Sequence, residues 1–468
     1  MRKTKIICTL GPATEAAEVI HQLIEAGASV FRLNMSHSSH EWVEKIVPRI
    51  RAIATSLDVV VGILLDTQGP AIRTGDLKAR LDLKPGEIFE FTVRGEKSEE
   101  THSVDVNYDG LIDDISVGDT MLVDSGVIRL LVLEKKHNRI RCEVLTEGTL
   151  GSRRHINLPG IRVNLPPLTE KDMRDVELGA KLGVDMVALS FCREKEDVEL
   201  LRKVLHENGS QARIVAKIED QLAVKNLADI ILTSDAVMVA RGDLGIECPM
   251  EELPIIQRRI VKRCLKAGRP VIVATHMLES MISNPVPTRA EITDVANAVF
   301  EQADAIMLSG ETTVGRYPVE CVRTLDKVAL RIERSGGAGF AEEAFLEDDR
   351  RKIVRSAVVL ANSITDSKLI VFTRRGAMAD NVSNLRPRHS PIYAFSPTIE
   401  VCRRLALNWG TIPECLPFDT NPNRTIIAAE TLLARRGLVK PGDHLVVITD
   451  LLAGEDRFES IQLRIVSE

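Results

Sequence analysis

At 468 residues, with 44% apolar and 27% charged side chains, the chain has the balance of a soluble protein of two to four domains. A formal net charge of −6 and an aromatic content of only 3% exclude general attraction to nucleic acid or anionic membrane and leave few rings to stack on bases. Nowhere do eighteen apolar residues run together, so no membrane span is predicted, and an anionic ligand must be met by a local cluster of cations.

The opening "MRKTKIICTLGPAT" has an apolar stretch too short for a secretion signal. Its "KIICTL" (5–10) is the first of eight short apolar runs, followed by the amphipathic "EAAEVIHQLIEAG", then "SVFRL" (29–33) and "VVVGILL" (59–65). Between the third and fourth runs the texture changes: "EIFEFTV", "HSVDV", "TMLV" and "GVIRLLVLEKKHNRIRCEVL" alternate and are broken by "KPG", "YDG" and "DSG". This predicts an all-β insertion over 74–162, a small barrel of hairpins placed as a lid. The runs then resume as "DMVALSF" (185–191), "RIVAKI" (213–218), "AVMVA" (236–240), "PVIVAT" (270–275) and "DAIMLS" (304–309). Amphipathic stretches between them end in glycine, and Thr169 with Asp172 and Thr288 with Glu291 mark helix starts.

Eight apolar strands joined by helices predict an α/β fold, a (β/α)8 barrel over 1–73 and 163–335, with an open doubly wound sheet as the competitor. Beyond a Gly-rich and acidic connector, "KLIVFT", "PIYAFS", "HLVVIT" and "IQLRIV" alternate with helices and predict a separate α/β domain over 336–468. The eight cysteines stand singly with no Cys-x-x-Cys pair, which predicts buried thiols in a reducing, cytoplasmic setting.

Chemistry in such a barrel gathers at the carboxyl ends of the strands. Just past the runs stand Arg32 and Asn34, Asp66 and Thr67, Ser190, Lys217 and Glu219, Arg241 and Asp243, Thr275 and His276, and Ser309 and Glu311. Residues two apart on a strand share a face, so Lys217 and Glu219 point together, and Asp243 can join them from the next strand. Two carboxylates suit Mg²⁺ completed by phosphate or substrate oxygens; a structural salt bridge from Lys217 is the rival. Arg32 and Arg73 add two bidentate oxyanion binders to the rim. These residues imply phosphoryl or enolate chemistry on a small, multiply anionic acid. "RGD" at 241–243 caps a buried strand, no P-loop is present, and "SHSSH" (36–40) reads as a solvated helix start.

The ordered segments "TKIICTLGPAT", "FRLNMSH", "LLDTQGPAIRTG", "INLPGIRVNLP", "AKIED", "VMVARGDLGIE", "ATHMLESM" and "PTRAEITDVANAV…IMLSGET" resemble the pyruvate kinase family along essentially the whole chain. The resemblance implies phosphoryl transfer from phosphoenolpyruvate to ADP, with Glu219 and Asp243 as ligands of Mg²⁺ (or Mn²⁺). It implies that Lys217 stabilises charge on the moving phosphoryl and the enolate, and that Arg32 binds substrate phosphate. Gly242, Asp243 and Thr275 would hold the carboxylate end beside Ser190, with Arg73, Asn34 and His37 toward the nucleotide. Asn34, Ser36, Asp66 and Thr67 match the family's K⁺ site. Gln68, Ala71, Asn164 and His276 depart from the usual pattern; with the four ligands intact, the expectation is K⁺ dependence.

The loop "TRRGAMA" (373–379) makes Thr373, Arg375, Arg386 and Arg388 candidates for a phosphorylated effector, fructose bisphosphate not being supported. The resemblance further implies a homotetramer and a minimal, bacterial-type chain. A metal-dependent enolate lyase or aldolase on the same barrel is the alternative enzyme, and a non-catalytic scaffold the third reading.

Overall fold

A computed structural model describes residues 1–453 and 456–467. Eight parallel strands form the central barrel: β1 (Lys5–Thr9), β2 (Val30–Asn34), β3 (Gly62–Asp66), β4 (Met186–Leu189), β5 (Arg213–Ile218), β6 (Ala236–Ala240), β7 (Val271–Ala274) and β8 (Ala305–Leu308). Each pairs with its neighbours in chain order and β1 pairs with β8, so the sheet is closed and the open-sheet competitor falls. Nearly every strand residue is buried, because helices cover the outside and side chains fill the inside.

Helix punctuation follows the sequence. Thr169 and Asp172 form a reciprocal capping box at Glu170–Leu182, as do Thr288 and Glu291 at Arg289–Phe300. Gly183 and Gly268 end their helices in the left-handed conformation. The third strand begins three residues later than its apolar run: Val59 is exposed in the loop at the barrel base, so apolarity there does not report a strand.

The insertion is β-rich but is not a barrel of hairpins. Six strands lie in one sheet with Ile156–Asn157 and Ser103–Asp105 at its ends, and no pairing between those two closes it. Ile88–Thr92 and Ser103–Asp105 pair in parallel, so the intervening chain crosses over instead of turning back. Phe89 and Phe91, in edge-to-face contact at 5.0 Å, anchor this domain's own core.

The C-terminal domain holds a five-stranded sheet. Four of its strands follow the predicted runs; the fifth, Thr411–Cys415, is hidden in sequence by Pro413. It is an edge strand, where the missing N–H of proline costs no ladder bond. At its end Cys415 is exposed, unlike the other seven cysteines, which are buried as expected.

Arg386 joins this domain to the barrel. It is 5% exposed, pairs with Asp304 at 2.6 Å, donates to the Gln302 carbonyl and stacks on Trp409 at 5.1 Å. A guanidinium spent in this way cannot receive an effector, which corrects the expectation drawn from its place near the basic loop. Among the described residues, no helix is long and apolar enough to cross a membrane.

Candidate active site at the mouth of the barrel

Asp66, the last residue of β3, is wholly buried and organises the mouth. One carboxylate oxygen accepts from Arg32 Nε at 2.6 Å. The other is 3.3 Å from Lys217 Nζ and accepts from the Ser190 hydroxyl at 3.3 Å. Burial alone would raise the Asp66 carboxyl, but the charges of Lys217 and Arg32 outweigh it and hold it below its ordinary value. Lys217 Nζ also donates to Ser190 Oγ at 2.7 Å and pairs with Glu219 Oε1 at 2.8 Å. Burial would lower the Lys217 pKa, yet Asp66 and Glu219 carry it above its usual value, so the amine stays charged.

Glu219 is 1% exposed and accepts from Lys217 and from the Phe191 N–H at 2.5 Å. Phe191 takes a left-handed φ of 52°, which turns that N–H toward the carboxylate. Burial and the neighbouring charge of Asp243 push the Glu219 carboxyl up, against the pull of Lys217. Asp243 lies just past the apolar run, in the first turn of helix Arg241–Glu247 that directly follows β6. It is half-buried, and its carboxylate makes no hydrogen bond or ion pair among the described residues. A paired and an unpaired carboxylate that repel one another fit a divalent cation held by hard oxygens. The salt bridge from Lys217 to Glu219 is present as well, so the two readings of these charges coexist.

Across the mouth, Thr275 and His276 follow β7 with φ of 66° and 53°. For a β-branched residue this is a strained conformation. It is held from both sides: the Gly242 N–H donates to Thr275 Oγ1 at 2.7 Å, and Arg241 Nη2 donates to the Thr275 carbonyl at 2.6 Å. Arg241 is buried, turned away from the mouth and paired with Asp294 at 2.7 Å. His276 is exposed and faces Glu279 at 3.5 Å.

The loop after β3 is fixed by Asp172, whose Oδ1 accepts from the N–H groups of Gln68 and Gly69 at 3.0 and 3.1 Å. Gly69 has φ of 71°, and a Cβ there would come within 2.9 Å of Ser190 Cβ, so the position admits only glycine. Thr67 Oγ1 donates to the Ala188 carbonyl at 3.0 Å, while its own carbonyl accepts from Ser190 Oγ at 2.7 Å. Asn34 Oδ1 accepts from the Ser36 N–H at 3.2 Å, with Ser36 and His37 exposed beside it.

Arg73 stands apart from this cluster, at the root of the insertion. It bridges to His155 through the backbone, and its guanidinium donates to the Arg153 carbonyl at 3.3 Å. Asn164 is pinned there through its backbone N–H, which donates to Asp114 at 3.0 Å; its exposed side chain makes no hydrogen bond among the described residues. A cavity of about 250 Å³ separates insertion and barrel, walled by His155, Asn157, Phe191, Glu219, Gln221 and Glu247. Burial there pushes the Glu247 carboxyl up to about 7, and Asn157 Nδ2 donates to it at 2.9 Å.

In the C-terminal loop, Thr373 is buried and accepts from the Gly376 N–H at 2.9 Å, while Arg375 is exposed. Sequence reasoning missed Asp172 as a loop anchor and Arg241 as the support of the strained turn. Glu311 was named only as a rim residue; its two oxygens accept from the N–H groups of Leu278 and Ser309 at 3.0 and 2.7 Å, which makes it a loop anchor as well. Asp172 carried a signal, its capping box, but nothing in the spacing told which loop it would also hold.

A closed (β/α)8 barrel with a β-rich insertion and a carboxylate–lysine–arginine cluster at its mouth is the arrangement of a barrel enzyme that works on phosphoryl or enolate groups. A family model described as "Pyruvate kinase, barrel domain" matches residues 1–322, and one described as "Pyruvate kinase, alpha/beta domain" matches 351–459. The chain belongs to the pyruvate kinase family. It is 41% identical over 453 residues to "Plastidial pyruvate kinase 2" of Arabidopsis thaliana, covering 96% of this chain and 78% of that protein. The same identity over 453 residues relates it to "Pyruvate kinase isozyme G, chloroplastic" of Nicotiana tabacum, covering 96% and 80%. A "Pyruvate kinase" of Staphylococcus aureus (strain USA300) is 40% identical over 468 residues, covering 97% and 79%. These similarities support phosphotransfer and not the enolate lyase alternative.

Proposed function

We propose that this barrel mouth moves the phosphoryl group of phosphoenolpyruvate to ADP, giving pyruvate and ATP. The observation that carries the reading is the continuous cluster Arg32–Asp66–Lys217–Glu219 with an unpaired Asp243 beside it. Arg32 Nε and Nη1 are committed to Asp66 and Thr9, which orients the guanidinium; Nη2 has no hydrogen bond among the described residues and is offered to substrate phosphate. The Gly242–Thr275 turn and Asp243 frame the carboxylate end of the substrate, with Ser190 holding the lysine in line.

Lys217 faces the phosphoryl group while the enol P–O bond breaks and a β-phosphate oxygen of ADP forms the new one. Its charge then meets the enolate oxygen until the methylene carbon takes a proton. Because the reaction depends on positioning and on neutralising spread charge, a fixed lysine and arginine are the useful groups. Glu219 and Asp243 would hold the Mg²⁺ or Mn²⁺ that family members use, which when bound offsets phosphate and enolate charge. Asn34, Ser36, Asp66 and Thr67 are assigned to K⁺, and Arg73 with Asn34 and His37 to the nucleotide. Thr373 and Arg375 remain as the candidate anion site for an effector.

Homotetramer formation accords with the open outer edge of strand Asp456–Ile465, where Leu463 and Ile465 are exposed. Light scattering coupled to size exclusion tests it, and a monomer at micromolar concentration would remove it. The activity is tested by a coupled assay for pyruvate, expected only when ADP, a divalent metal and phosphoenolpyruvate are all present. Pyruvate released without ADP would overturn phosphotransfer. Replacing K⁺ by a bulky organic cation is expected to lower the rate by more than about tenfold, and an unchanged rate would remove the K⁺ assignment.

A further inference from the structure

We propose that Cys402 and Cys415 are a modification site: an oxidisable pair that closes to a reversible disulfide and ties the helix at the barrel base to the edge strand of the C-terminal sheet. The two cysteines converge on one residue. Cys415 ends the edge strand and pairs in register with Ser396 of the neighbouring strand. Cys402, on helix Ile399–Leu405, directs its thiol at the Ser396 carbonyl at 3.9 Å, and the Leu416 N–H donates to that same carbonyl at 2.9 Å. The two side chains are therefore neighbours around one carbonyl, Cys402 on the helix and Cys415 on the strand.

Access divides their roles. Cys415 is exposed and lines a cavity of about 400 Å³ between the barrel base and the C-terminal domain, beside Lys5, Asp58, Glu414 and Arg436. Cys402 is fully buried, and burial pushes its thiol up to about 12. Cys415 is thus the thiol that meets an oxidant and Cys402 the one that resolves it. With a peroxide, Cys415 sulfur bonds one peroxide oxygen as the O–O bond breaks, giving a sulfenic acid and water. Cys402 sulfur then displaces that oxygen, which leaves as a second water with the Cys402 proton. Two thiols lose two electrons in all, and the peroxide is reduced to two waters. Cys8 and Cys321 are also neighbours, but both are closed to solvent and serve as an internal control.

The link would matter mechanically because the helix runs into Ala406 and Leu407, which pack against Ile7, Val30 and Leu64 at the barrel base. In a reducing compartment the bond would be transient and would report peroxide.

The test treats the full chain with hydrogen peroxide under native conditions, blocks remaining thiols by alkylation, and maps unreduced peptides by mass spectrometry. The expected result is a Cys402–Cys415 cross-linked peptide that dithiothreitol removes, with a thermal midpoint several degrees above that of the reduced protein. Cys415→Ser should abolish both. Cys402→Ala, the riskier core change, should leave Cys415 to proceed to the sulfinic acid. Finding wild-type Cys415 as a sulfinic acid or bonded to another cysteine, with Cys402 still free for alkylation after unfolding, overturns the proposal. So does an equal thermal shift in Cys415→Ser.

Discussion

Replacing Lys217 by methionine removes the one ammonium group that touches both Asp66 and Glu219 while keeping a side chain of similar length and volume. A unit charge held about 4 Å from developing charge contributes roughly 4 kcal/mol at an effective dielectric near 20. At about 1.4 kcal/mol per decade, kcat should fall about a thousandfold. The alternative is that Lys217 merely neutralises buried carboxylates, in which case the loss would appear as unfolding. Removing one partner of a buried pair costs about 3–5 kcal/mol when the other is left alone. Here neither is: Asp66 keeps Arg32 at 2.6 Å, and Glu219 keeps the Phe191 N–H at 2.5 Å. The variant should stay folded, with a metal requirement changed by no more than a few fold. Steady-state kinetics with a coupled pyruvate assay, metal titration and a thermal melt decide the matter. A fall in kcat below tenfold, or a fall that tracks lost metal binding, would refute the assignment.

Asp243→Asn keeps the shape of the helix start but removes the unpaired carboxylate. The metal concentration for half-maximal rate should rise more than about tenfold, and an unchanged titration would exclude Asp243 as a ligand. Arg386→Met leaves Asp304 buried without its cation but with the Val271 and Trp409 N–H groups, so stability should drop by about 1–3 kcal/mol in urea with KM for phosphoenolpyruvate unchanged. A selective loss of response to a phosphorylated effector would reinstate Arg386 as a binding residue. Lys5 is buried, and burial lowers its pKa to about 7, its Nζ donating to the Thr411 carbonyl. The folded state thus holds that proton more weakly than the unfolded chain, a cost in full below pH 7 and lost as pH rises toward the unfolded pKa. Lys5→Met should therefore stabilise most near pH 6.5, and the gain should shrink by roughly 2 kcal/mol by about pH 9. A gain independent of pH would place the Lys5 proton elsewhere.

The barrel was legible because its evidence is periodic and local. Apolar runs of five to seven residues, helices with capping boxes at Thr169 and Thr288, and glycines at 183 and 268 need no distant partner to be read. So did the meeting of Lys217 and Glu219, since residues two apart at a strand end share a face. The sequence by itself thus determined the fold class, the rim on which charge collects and most of the charged residues at the mouth. Only the tertiary structure decided who pairs with whom. Asp66 became the hub because β3 lies between β2 and β4, which brings Arg32 and Ser190 to it, with Lys217 reaching across from β5. Arg386 was withdrawn from the surface because Asp304, far away in sequence, needed a cation in the domain junction. Asp172, Arg241 and Glu311 act on backbone groups from other segments, and Cys402 and Cys415 meet only because an edge strand and a helix share Ser396. Spacing along a chain encodes faces of single elements; the cost of burying an unpaired charge or N–H, settled between elements, selects the partners.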